Sequence, residues 1–174
     1  MSQQRGVFGT TYEMTFDAGQ DAIIRGTAYE ISTRATLATS ADILEIGFTI
    51  PASVAAFAVI EATASTIATL TIAEGVTSLV IAAGAVAVAY NQNRNLALTS
   101  EITPKFTGTT GAAFTYSGGT VISTRQLGAN SPGGNAHVLS GIVLKSGVST
   151  VIRLASGANT CNAGLVLRWC EDPR

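Results

Sequence analysis

The sequence predicts an all-β protein: an antiparallel β-sandwich, jelly-roll-like, of about 8–10 short strands with a partly extended N-terminal arm. Three observations carry this. Apolar residues alternate with polar ones at period two through most of the chain. Gly, Ser, Asn and Pro clusters interrupt that alternation about every ten residues. No long stretch carries the 3.6-residue apolar spacing of an amphipathic helix. The pattern divides into an N-terminal arm or edge strand, residues 1–20, and one sandwich domain, residues 21–174.

Taken in order, residues 5–17 and 21–38 are Thr-rich and weakly periodic. Tyr12, Met14 and Phe16 alternate, as do Ile24, Gly26 and Ala28. They read as one or two strands plus an arm, and both an arm lying on a neighbouring subunit and a frayed terminus fit. Asp42 to Ile50 is a strand stopped by Pro51. Ala52 to Thr63 is alanine-rich, which suits a helix. Its Val54, Phe57, Val59, Ile60 and Thr63 suit a strand, and length and β-branching favour strand. Short strands follow at Ile67–Ala73, Ser78–Ala83 and Ala85–Tyr90, broken at Gly75 and Gly84. Leu96 to Phe106 reads as a strand interrupted at Pro104. Gly108 to Gly119 reads as a Gly/Thr-rich loop, Thr120 to Leu127 as a strand, and Gly128 to Asn135 as a loop. Three strands close the chain: Val138–Lys145, 148–154 and 162–170. In the last, Leu165, Leu167 and Trp169 face away from Val166, Arg168 and Cys170. Their close spacing predicts a C-terminal antiparallel meander.

Composition narrows the function. Charged residues are 12% of the 174, about half the usual share. Ten Lys+Arg against eleven Asp+Glu leave a net charge of −1, so no basic excess exists to release counterions from DNA or RNA. A mean hydropathy of +0.36 is too apolar for a solvated coil. The longest apolar run, Leu79 to Tyr90, has twelve residues, whereas a membrane helix needs about 20. The first residues lack the apolar core of a signal peptide, so the expectation is a cytoplasmically made chain that engages neither membrane nor nucleic acid. Cys161 and Cys170 then read as reduced thiols in preference to a disulfide.

The thin charge also speaks to partners. Thr (23) and Ala (27) dominate, and from Pro51 to Asn93 only Glu61 and Glu74 are charged. Charge is depleted at subunit-interface centres, so this stretch is expected to be partly core and partly covered by another copy. A homo-oligomer follows, a trimer first and a dimer next.

Catalytic patterns are weak. His137 is the single histidine, and no Gly-x-Ser-x-Gly elbow accompanies it, so neither a nucleophilic triad nor a three-ligand zinc site is expected. The Gly-rich stretches at 108–111 and 116–119 lack the following Gly-Lys-Ser/Thr of a phosphate loop. The eleven acids are scattered singly, which gives no reason to pair two as glycosidase carboxylates. Asp17 and Asp21 are too sparse for a calcium loop. The reading is a non-enzyme without cofactor or metal. Candidate contact residues lie in three loops: Tyr90, Asn91, Asn93, Arg94 and Asn95; Tyr116; and Asn130 with Asn135.

The order of several segments resembles a known family. The run Tyr90-Asn91-Gln92-Asn93-Arg94-Asn95 is followed by Gly118-Gly119-Thr120-Val121-Ile122 and by Leu139 to Leu144. Next come Val148-Ser149-Thr150-Val151-Ile152-Arg153 and the closing Leu165-Val166-Leu167-Arg168-Trp169-Cys170-Glu171. Over residues 42 to 171 this is similar to small β-sandwich structural proteins of tailed bacteriophages, with Val151 and Cys170 standing where that pattern has aromatics. The resemblance implies a virion role. The protein would be a capsid decoration or cement subunit that binds the major capsid protein, or, in the same architecture, a tail or fibre component bound to tail proteins and receptor. A carbohydrate-binding module is the non-viral alternative, with Tyr90, Tyr116 and Trp169 as its candidate aromatics.

Overall fold

The computed structural model describes residues 20–80, 85–96, 98–108, 114–128 and 135–173. A short helix, α1 (residues 20–25), leads into eleven strands. These are β1 (Ala28–Leu37), β2 (Ile43–Thr49), β3 (Val54–Ala64), β4 (Ala68–Val80), β5 (Ala85–Val86), β6 (Tyr90–Asn91), β7 (Lys105–Gly108), β8 (Thr115–Leu127), β9 (Asn135–Leu144), β10 (Ser149–Ser156) and β11 (Cys161–Pro173). One sheet runs β6-β1-β11-β3-β9 and the other β5-β7-β2-β10-β4-β8. Every described pairing is antiparallel.

Setting aside the short β5, β6 and β7, the chain changes sheet at every step but one, β4 to β8, which are antiparallel neighbours in the second sheet. The orders β1-β11-β3-β9 and β2-β10-β4-β8 are those of the two four-stranded sheets of a jelly roll. The small strands all fall between β4 and β8 and extend the sheets on one flank. The opposite flank ends in β8 and β9.

The core sits between the sheets, filled by alternate residues of each long strand. On β11, Leu165, Leu167 and Trp169 are buried; on β3, Val54, Ala56, Ala58, Ile60, Ala62 and Ala64 are. The register explains the alanines. Trp169 lies opposite Ala58 and Leu165 opposite Ala62, so small side chains on β3 leave volume for large ones on β11. Alanine here reflects packing between sheets and not helix propensity: of the ambiguous Ala52–Thr63, Val54 onward is strand, and Ala52 and Ser53 form the turn before it.

Several expectations are corrected. β9, β10 and β11 form no meander. β10 lies between β2 and β4, β11 between β1 and β3, and β9 pairs with β3. A hairpin and a crossover between sheets use the same Gly/Ser/Asn turns, and the deciding factor is that β10 and β11 are both central, buried strands. The alternation at Ile24, Gly26 and Ala28 is no strand: residues 20–25 are helical. Gly26, at φ 74°, stops the helix in the left-handed region; its N–H donates to the Ile23 carbonyl and that of Thr27 to Ala22. Among the described residues between Leu96 and Phe106, only Lys105 onward is strand. Gly75 does not end its strand: β4 runs through it at φ 70°. Gly118 and Gly119 belong to β8, at φ 63° and 88°, between the two points, Ile72/Ala73 and Thr77/Val80, at which the register with β4 shifts. Asn135 opens β9 and is not loop. Of the expected arm, residues 1–20, only Gln20 is described and it opens α1; residues 1–19, and the loop residues 109–113 and 129–134, lie outside the described residues.

Candidate contact surfaces

The polar run after β6 is built mostly to hold itself together. The Asn91 side-chain amide donates to the carbonyls of Gly26 (2.7 Å) and Leu98 (3.2 Å), while its Oδ1 accepts from Asn93 N–H (2.8 Å). Asn93 repeats the motif: its amide donates to Ile24 O (2.8 Å) and its Oδ1 accepts from Asn95 N–H (3.0 Å). These successive Asx turns tie Asn91 and Asn93 to the end of α1. Asn91 and Asn93 are therefore positioning residues, whereas Tyr90, Arg94 and Asn95 are exposed.

What this loop presents is apolar. Ile23, Ile24, Val88, Tyr90, Leu96 and Leu98 are all large hydrophobics left in solvent. Leu96 and Leu98 are packed so closely around Gly26 that a Cβ there would lie 3.0 Å from Leu96. Together they make an apolar patch on the β6 flank. A second concentration lies on the opposite flank. β8 is exposed on both faces for almost its whole length, with Val121 58% and Ile122 43% exposed. Val138 and Val143 on β9 and the neighbouring Phe57 continue it. Soluble monomers rarely carry such apolar concentrations without a use for them.

Tyr116 turns inward over its own sheet. Its ring covers the Arg153 guanidinium at 5.1 Å, and Arg153 Nε donates to Glu45 Oε1 at 2.6 Å. Glu45 is wholly buried and its Oε2 accepts from Phe114 N–H at 2.6 Å. The Phe114 ring lies on Gly47, where a Cβ would meet it at 2.8 Å. With Ala73, Val76 and Val151 it forms a small second core on the outer side of the sheet. Asn130 lies outside the described residues; Asn135 pairs opposite Ala64 at the start of β9.

A second buried carboxylate sits at the end of β11. Glu171 accepts from the Trp169 indole N–H (2.8 Å), from Glu101 N–H (3.0 Å), from Ile102 N–H (3.3 Å) and from the Ser100 hydroxyl. It holds residues 100–102 against the core, which is why that segment is not strand. Parity makes Glu171 findable, since it continues Leu165, Leu167 and Trp169 onto the inward face. Parity misleads for Glu45, which points away from Leu44 and Ile46 and is buried only because residues 114–116 fold over it. Burial, then Glu171 and Glu101, push the Tyr29 phenol above its ordinary 10.0. Above about pH 10 the unfolded chain releases this proton while the folded chain keeps it, so stability falls as pH rises. Tyr29→Phe should flatten that alkaline fall in denaturation midpoints measured from about pH 9 to 11; an unchanged slope would remove Tyr29 as its source.

The other chemical candidates are dispersed. His137 pairs opposite Ala62 within β9. Cys161 and Cys170 are free thiols on opposite faces of β11, about 30 Å apart at the rise of an extended strand. Among the described residues no three His, Cys, Asp or Glu side chains gather as metal ligands, and no helix is long and apolar enough to cross a membrane. On the outer face of the β1 sheet Arg168 bridges Glu30 (2.8 Å) and Glu61.

No protein-family model, curated protein or solved structure matches the chain.

Proposed function

We propose that this protein is a virion structural subunit, a capsid decoration or cement protein that stabilises a phage head by bridging copies of the major capsid protein. It is made in the host cytoplasm and ends on the capsid surface as a homo-oligomer, a trimer before a dimer. The observation that supports this best is a jelly roll with two different apolar flanks on opposite sides of a charge-poor domain. Two unlike patches on opposite flanks suit head-to-tail contacts, which close into rings. Many modest contacts repeated over a lattice then hold by avidity, without any single strong site. The buried carboxylates serve this reading as fasteners that stiffen the loops between strands.

Copy number tests it. Quantitative mass spectrometry of purified particles carrying this gene should find hundreds of copies per particle. A few to a few dozen copies would replace the capsid role by a tail or fibre role, and absence from the particle would overturn the virion reading.

A further inference from the structure

We propose that the N-terminal segment of a second copy adds as a strand to the free edge of β1 and covers the apolar patch beside it. The receiving edge is plain in the pairing. β6 occupies β1 only at Tyr29 and Glu30. Among the described residues, no strand pairs with β1 on that side from Ile31 to Leu37. Those positions leave a row of main-chain donors and acceptors about 23 Å long. Where the row meets β6, the exposed Tyr90 and Val88 begin, and Ile24, Leu96 and Leu98 follow around Gly26.

The chain carries a segment of matching chemistry. Nineteen residues precede Gln20, the first residue of α1. In Phe8-Gly9-Thr10-Thr11-Tyr12-Glu13-Met14-Thr15-Phe16 the large apolar residues fall at alternate positions, which is the pattern of a strand with one buried face. The segment holds a single charge, Glu13, among nine residues, so its main chain meets the edge at little desolvation cost.

Length permits a second copy, and place of entry favours it over the same one. Fully extended, the nineteen residues reach about 60 Å, against a domain roughly 40 Å across. The segment joins α1 at the Ala28 end of β1, and that end of the edge is already filled by β6 and the Asn91–Leu98 turns packed on α1. A neighbour's segment meets the edge from its open end, at Leu37. This inference does not depend on a virion role.

Sedimentation of the full chain, with paired variants, tests it. The wild-type chain should be a stable oligomer at micromolar concentration. The arm variant Y12D/M14D/F16D should weaken association by on the order of 10³-fold, since it removes three large apolar side chains from the joint. The patch variant I24D/L98D should also fall to monomer. Both should keep the wild-type β-type far-UV spectrum. Mixing the two monomeric variants should restore a dimer, because an intact arm on one then meets an intact edge and patch on the other. A monomeric wild-type chain, an arm variant that stays oligomeric, or a mixture of folded variants that remains monomeric would each overturn the proposal; the last would place the arm on its own domain.

Discussion

Trp169→Ala should lower the unfolding free energy by about 3–5 kcal/mol, read as a shift of the urea midpoint at constant slope. Trp169 is 2% exposed in the middle of β11. Its indole stacks on Tyr29 with centroids 5.7 Å apart, and its Nε1–H donates to Glu171. Truncation therefore opens a large cavity that the opposing Ala58 is too small to fill, and it also removes a donor from a buried carboxylate. Trp169→Phe separates the two effects. It keeps most of the ring volume and loses only the hydrogen bond, so it should cost about 1.5–3 kcal/mol. If Trp169→Ala costs less than about 1 kcal/mol, β11 does not present this face to the core. A loss near the upper figure takes a large share of the 5–15 kcal/mol that domains ordinarily possess.

The same strand shows how far sequence reasoning reaches. Period-two alternation marks Leu165, Leu167 and Trp169 as one buried face, because a central strand packed on one side has no other way to bury them. Parity likewise separates Cys161 from Cys170. What alternation does not contain is the partner of each strand. β10 and β11 are joined by a Ser-Gly-Ala-Asn-Thr turn that would serve a hairpin equally well, and only the three-dimensional alternation between sheets makes it a crossover. Side-chain capping of backbone is equally silent in one dimension. Asn91 and Asn93 look like exposed polar residues until their amides are seen on the carbonyls of Gly26 and Ile24. The exposed patch that emerges there is apolar: Leu96 and Leu98 close on Gly26, two residues after the exposed Ile24, so it is drawn from two separate segments.

Glu45 is where sequence parity and burial part company, and it yields the sharpest energetic contrast. Glu45→Ala should cost roughly 3–5 kcal/mol. The carboxylate is wholly buried and receives both Arg153 Nε and Phe114 N–H, so its removal leaves a partly buried guanidinium and a buried amide without their acceptor. Arg153 is 32% exposed, and water reaching its outer edge holds the loss toward the lower figure. The double variant Glu45→Leu/Arg153→Leu should recover the part of it due to the guanidinium, since an apolar pair of similar volume carries no stranded charge. The Phe114 amide then remains the one unpaired group, worth about 1–3 kcal/mol. A double variant no more stable than Glu45→Ala would mean that the carboxylate acts chiefly by anchoring residues 114–116. Gly47→Ala gives the independent check. Its new methyl meets the Phe114 ring while the ion pair stays intact, so a loss comparable to that of Glu45→Ala would assign the energy to the seating of Phe114 on the sheet, and a much smaller one to the buried charge.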